Sequence, residues 1–162
     1  MSVQYGHGWI PGLLGWTVAQ HAMYYADNWN FGAFFEAKVA SEMSSFVSRL
    51  QNRGNHLLWV RDEDGPLATV SIDADEVEGG LTHLRWFIAA DRARGRGLAA
   101  PLITNAVEAT RKDGAAGVFL WTFAGLEAAR AIYEAAGFRL VKQGEDATLG
   151  QVVTEQRWEL VF

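Results

Sequence analysis

Residues able to bind an anion gather at Arg94-Gly95-Arg96-Gly97-Leu98-Ala99. An apolar segment, Leu84 to Ala90, precedes them, and Leu102 to Ala109 follows with apolar residues at helical spacing. The order is strand, glycine turn, helix. Glycine lets the chain approach a ligand closely. The first helical turn presents unpaired N–H groups at the positive end of its dipole. With Arg94 and Arg96 added, the turn reads as a site for a phosphate or pyrophosphate, although a plain strand-to-helix turn would leave the same trace. Nearby, His83 could take a proton, directly or through water, or be an exposed strand histidine. Asp73, Asp75, Glu76 and Glu78 could attract an amine or form a solvated turn.

Two phosphate-loop patterns fit the turn. Gly95-x-Gly97-x-x-Ala100 matches a dinucleotide fingerprint. Such a fingerprint usually opens its domain, whereas more than 80 residues come first here. The acid downstream, Asp113, falls in the turn Lys112-Asp113-Gly114 and not at the end of a strand. Read as Arg94-x-x-Gly97-x-Ala99, the same residues resemble motif A of the GNAT N-acetyltransferases. Ala128 to Phe138, with Ala129, Tyr133, Gly137 and Phe138 as its fixed points, resembles motif B of that family. The separation is also similar: helix, turn, strand, helix. Gly12 to Tyr25 and Gln156 to Leu160 further resemble the acetyltransferase domains fused to MarR-type regulators in bacteria.

The resemblance implies an α/β (α+β) GNAT fold: a mixed, mostly antiparallel sheet of about seven strands with helices on both faces. It implies acetyl-CoA as co-substrate and an amine-bearing acceptor, either a small molecule or a protein amine. Backbone groups of the loop Arg94, Gly95, Arg96, Gly97, Leu98 and Ala99 would hold the pyrophosphate, and those of Ile88, Ala89 and Ala90 the pantetheine. Tyr133 would be the general acid for the departing thiolate, feasible where the two are close and water is scarce, since a free tyrosine titrates at about 10 and a thiol at about 8.5. Some relatives use a glutamate base on the strand before motif A; Leu81 to Ala90 offers His83 and Arg85 instead. His21, Tyr24 and Tyr25, on the first helix, would line the acceptor side or pack in the core. One departure is Leu126, where many relatives carry a coenzyme-contacting Asn seven residues before the tyrosine. A non-catalytic acyl-CoA-binding regulatory module of the same fold is the alternative.

Composition bounds these readings. The 162 residues suggest one domain, 1–162, with room for a sizeable core. A hydrophobic content of 49% against 20% charged residues indicates a globular chain. The net charge of −5 argues against general nucleic-acid binding. Cysteine is absent, so disulfides, thiolate nucleophiles and cysteine metal sites are excluded, and no metal is expected. No signal peptide is recognisable and no apolar run reaches the ~20 residues of a membrane span. A cytoplasmic location without a membrane partner is expected, and the aromatic content is compatible with a homodimer.

These residues need elements to hold them. Val3–Ile10 reads as a strand, Gly15–Ala26 and Phe31–Leu50 as helices with Asp27-Asn28 between. His56–Arg61 and Leu67–Asp73 form a hairpin about Asp62-Glu63-Asp64-Gly65, with Asp73–Glu78 a strand end and turn. Leu81–Ala90 leads into the glycine loop. Pro101 requires the following helix to begin near Gly97 and run to Lys112. Gly117–Thr122 is a strand buried on both faces. Leu126–Ala136 is a helix capped by Gly137. Phe138–Val141 and Val152–Phe162 are the last strands, joined by the loop 142–150.

Overall fold

The computed structural model describes residues 2–162. The strands in chain order are β1 (Gln4–His7), β2 (His56–Asp62), β3 (Gly65–Glu78), β4 (Leu81–Ala89), β5 (Gly117–Phe123), β6 (Arg139–Asp146) and β7 (Val153–Val161). The helices are α1 (Leu13–Trp29), α2 (Ala33–Ser48), α3 (Ala99–Lys112) and α4 (Glu127–Ala135). All seven strands join one sheet in the order β1-β2-β3-β4-β5-β7-β6. Among the described residues β4–β5 is the one parallel pair; the rest are antiparallel. A doubly wound parallel sheet is therefore not formed, which removes the dinucleotide reading of the glycine turn.

Alternation along β2 shows how the layers are held. Leu57 and Trp59 pack with Leu13 of α1 and with Met43 and Phe46 of α2. Leu58 and Val60 point the other way, into a core with Leu102, Ile103 and Ala106 of α3. Successive side chains on a strand leave opposite faces, so one apolar strand serves both layers. Burying a Leu or Ile fully is worth about 1.5–3 kcal/mol. Leu102 and Ile103, essentially inaccessible, therefore fix the helix that follows the glycine loop.

Several boundaries differ from the sequence reading. Helix α1 runs through Asp27-Asn28 to Trp29, because Asn28 donates to the Tyr24 carbonyl within the helix. It stops at Asn30, whose backbone is left-handed. Strand β3 continues to Glu78. Its acids do not form a free turn: Asp73 is fully buried and both its oxygens accept from Arg49, while Asp75 accepts from Arg49, Asn52 and Asn55. Strand β6 likewise extends to Asp146, leaving a shorter connection to β7. No helix among the described residues is long and apolar enough to cross a membrane.

Candidate functional site

The site begins with a defect in β4. Thr69 pairs with Ile88 and Ser71 with Arg85, so two steps on β3 oppose three on β4. The extra residue makes a bulge, and Trp86 takes a left-handed backbone, φ 52°. That conformation costs a bulky residue about 1–2 kcal/mol. Packing holds it there: the Arg85 guanidinium lies 4.1 Å from the Trp86 ring centroid, and Phe46 lies 5.6 Å away. Beside the bulge the sheet opens. Strands β4 and β5 are in register at Thr82–Val118 and His83–Phe119 and then part.

The parting leaves main-chain groups of β4 facing a gap. Ala90 donates its N–H to the Leu67 carbonyl on the β3 side, and its own carbonyl accepts from Ala93. Peptide groups alternate edges along a strand. Those of Ala89 therefore point toward β5, where no strand meets them. Ile88, paired with Thr69, contributes its side chain to the same wall.

A short 3-10 turn, Asp91–Ala93, leads to the loop. Gly95 and Gly97 have φ 72° and 67°, and a Cβ at either would meet nothing within 4 Å. Glycine is thus required by backbone conformation and leaves open space above the loop. Helix α3 starts at Ala99 with no side-chain cap and no acid in its first turn. Among the described residues the amides of Gly95, Gly97, Leu98 and Ala99 have no recorded acceptor, whereas that of Arg96 donates to the Ala93 carbonyl. Several unpaired donors at a helix start suit a pyrophosphate.

The two loop arginines do different things. Arg94 is exposed, paired with Asp91 at 3.2 Å and set over the Tyr24 ring. Arg96 turns away, to 3.5 Å from Asp62. Asp62, whose side chain is buried, also takes two bonds from Arg92 at 2.8 Å. The Arg92 guanidinium holds the Asp62 carboxyl below the usual carboxylate range. Tyr5 donates to the Leu98 carbonyl at 2.9 Å. The loop is thus tied from β1 and β2 while its amides stay free.

Gap and loop open on one cleft of about 1030 Å³. Tyr133, on α4, lines it 5% exposed, with its ring against Phe87 and Phe138. Burial, with the Tyr25 hydroxyl adding to it, pushes its phenol far up. Tyr133 therefore stays protonated and can donate. His21, Tyr24, Tyr25 and His83 line the cleft as well, together with Ile88, Ala89, Arg94, Gly95, Gly97, Leu98 and Ala99. Ala90 and Arg96 do not reach it.

His21 Nδ1 donates to the Thr17 carbonyl, and burial pushes the imidazole down to about 4. Tyr25 sits among Phe31, Phe35 and Phe123, its phenol raised by burial. His83 stacks on Phe119 at 4.4 Å. Its Nδ1 is buried without a partner, and burial, helped by Arg85, pushes it down to about 3. At neutral pH His83 is uncharged and a weak base.

The sequence profile of the acetyltransferase (GNAT) family matches residues 15–138. The chain belongs to this family. Solved structures share the GNAT fold over nearly the whole chain. A GNAT-family acetyltransferase from Streptococcus pneumoniae covers 99% of both chains, with TM-score 0.77 and 15% identity. A ribosomal-protein-alanine N-acetyltransferase from Brucella melitensis covers 100% of both, with TM-score 0.75 and 15% identity. A spermidine N-acetyltransferase from Vibrio cholerae, in complex with CoA and spermine, covers 98% of this chain and 95% of its own, with TM-score 0.70 and 14% identity. No curated protein matches the chain in sequence.

Three features of the GNAT site escaped the sequence reading. The Trp86 bulge had no signal, because tryptophan does not favour a left-handed backbone. Asp62 looked like a turn residue; its two arginine partners lie 30 or more positions away. Glu155 on β7 also lines the cleft, and its strand position alone gave no reason to single it out.

Proposed function

We propose that residues 1–162 act as one GNAT unit that transfers an acetyl group from acetyl-CoA to a primary amine. The observation that carries this reading is the meeting of a bared β4 edge and a ring of unpaired loop amides in a single cleft beside Tyr133. Acetyl-CoA would supply the activated acyl group. Gly97, Leu98 and Ala99 would bind its pyrophosphate through their amides, with Gly95 setting the turn and Arg94 adding charge. Arg96 serves the loop by pairing with Asp62. The Ala89 peptide group would hydrogen-bond the pantetheine arm, and Ile88 would wall it. Ala90, its N–H already engaged, orients the strand.

The protein's part in the chemistry is placement and hydrogen bonding. Tyr133 would donate to the sulfur as negative charge develops there; the burial that raises the phenol raises a thiol in the same place, so their proton affinities stay comparable. His83, uncharged, would accept a hydrogen bond from the amine and direct its lone pair; one proton leaves the ammonium for solvent before attack, and the one the nitrogen sheds as the amide forms replaces, through solvent, the proton Tyr133 gives to the sulfur. His21, Tyr24 and Tyr25 would shape the acceptor side. The same proposal gives the protein a cytoplasmic location, with no nucleic-acid or membrane partner and no metal, and allows a homodimer.

Two observations favour a second reading, a module that holds acyl-CoA without turnover: the weak basicity of His83 and the apolar Leu126 at the start of α4. Calorimetric titration with acetyl-CoA, with NAD(P)H in parallel, tests the shared part of both readings. One-site binding of acetyl-CoA alone is expected. Release of free CoA in the presence of amines then separates enzyme from module. Absence of acetyl-CoA binding overturns both.

A further inference from the structure

We propose that the acceptor is an apolar, ring-bearing primary amine and that Glu155 captures its ammonium group as it enters the cleft, before the proton is shed and the nitrogen moves on to the thioester. The substrate class rests on the acetyltransferase reading above; the binding role of Glu155 does not.

The charge pattern on the acceptor side singles out Glu155. Lys38 and Arg85 both pair with Glu42. Arg85 also lies 3.6 Å from Asp73, which Arg49 shares with Asp75. Three cations thus face three carboxylates. Farther along β7, Arg157 is taken by Glu78 and Glu159. Glu155 lines the cleft half-buried, and among the described residues its side chain makes no hydrogen bond or ion pair. Burial and the nearby Asp146 raise its carboxyl above the usual range, with Lys142 opposing them. A desolvated carboxylate that no cation contacts directly is a ready partner for one.

Its surroundings say what else the cation carries. Glu155 stands opposite Phe123 on β5 and Gly144 on β6. A Cβ at Gly144 would meet nothing within 4 Å, so space is open beside the carboxylate. On the other side, the Phe123 ring lies 6.0 Å from Tyr25, which lies 5.0 Å from Phe35. Trp121 and Leu149 complete an apolar wall. Aromatic faces attract both apolar groups and an ammonium. The other carboxylates lining the cleft are Glu42, shared by two cations, and Glu127, exposed at the start of α4, so around Glu155 a polyamine would meet aromatic faces where it needs a second charge. An amino acid would need a free cation for its carboxylate, and Lys38 and Arg85 are engaged by Glu42.

The test uses the full chain and three probes: 2-phenylethylamine, spermidine and alanine. Binding is read by calorimetry with and without saturating CoA. Phenylethylamine is expected to bind at least about tenfold more tightly than the other two, and Glu155→Gln to weaken it about tenfold, the scale of one charge-assisted hydrogen bond. Gly144→Leu fills the open space and should weaken phenylethylamine similarly. Both variants should keep CoA affinity within about twofold, which shows that they fold. Equal or tighter binding of spermidine or alanine overturns the substrate class. Unchanged phenylethylamine binding in Glu155→Gln overturns the role of Glu155. A failure of CoA to bind the wild-type chain overturns the transferase reading instead, and the amine titration still decides the role of Glu155.

Discussion

The glycine loop and the β5–β7 wall share one cleft but are made of different material. The loop presents main-chain amides, and its glycines serve conformation more than contact. The wall presents side chains: Phe123, Trp121, Glu155 and, across from them, Tyr25 and Phe35. Main-chain donors tolerate changes in most neighbouring side chains, so a loop of this kind can serve one coenzyme across many sequences. A side-chain wall changes with every substitution, so it can select an acceptor particular to this chain. The family match, over residues 15–138, does not name an acceptor, which is a matter for this chain's own side chains.

That contrast breaks most sharply at Gly97. Gly97→Val forces a β-branched residue to φ 67°. Acetyl-CoA affinity should fall about 100-fold, the loss of one or two charge-assisted hydrogen bonds, with the circular dichroism spectrum unchanged. Unaltered affinity would mean that the loop does not hold the donor. Next in size is Tyr133→Phe. Turnover should fall about tenfold to 100-fold, toward the lower end of acid–base contributions, while the Kd for acetyl-CoA moves less than twofold. A change in Kd with unchanged turnover would make Tyr133 a packing residue.

Asp62→Asn asks whether the donor side depends on any side chain. It removes the charge that holds Arg92 and Arg96, and acetyl-CoA affinity should weaken about tenfold, comparable to one charged hydrogen bond. The wild-type Asp62 carboxyl is lowered by Arg92. Its contribution to stability is therefore present above the ordinary carboxylate value of about 3.9 and is lost as pH falls through the lowered folded value. Thermal melts of wild type and variant should differ at neutral pH, begin to converge as pH falls below about 3.9, and meet only below the lowered folded value. Identical melts at neutral pH would show that the loop stands without this anchor.

The smallest effect is a gain. Leu126 is the N-cap of α4 and forms no side-chain cap bond. Leu126→Asn should add about 1 kcal/mol of stability by capping, read as a modest rise in Tm, and tighten acetyl-CoA severalfold. No change in affinity would place the cap out of reach of the coenzyme.

The fold was legible where local chemistry dictates it. Gly95 and Gly97 before a helix that tolerates Pro101 in its first turn, and the β2–β3 hairpin about Asp62 to Gly65, read directly from the chain. Helix α1 and strand β3 outran their expected ends because Asn28, Asp73 and Asp75 have partners that neutralise their preference for turns, and β6 outran its own because Lys142 to Asp146 pair with β7. Of the site, the loop and Tyr133 were visible because they lie in short, spaced patterns. Glu155 was not, since its importance comes from what fails to pair with it. His83 was visible as a side chain, but its weak basicity comes from Phe119, Arg85 and burial, which the fold supplies.

The parting of β4 and β5 has a mechanical side. Two residue pairs join these strands, against at least four at every other junction in the sheet. The line of least stitching therefore runs straight through the candidate site. A molecule lying in that gap acts as a strut between β1–β4 and β5–β7. At 100 times its Kd it adds about 2.7 kcal/mol to the folded state. Amide exchange in β5–β7 should slow when the strut is in place and quicken when it leaves, so each catalytic cycle would also tighten and slacken the sheet.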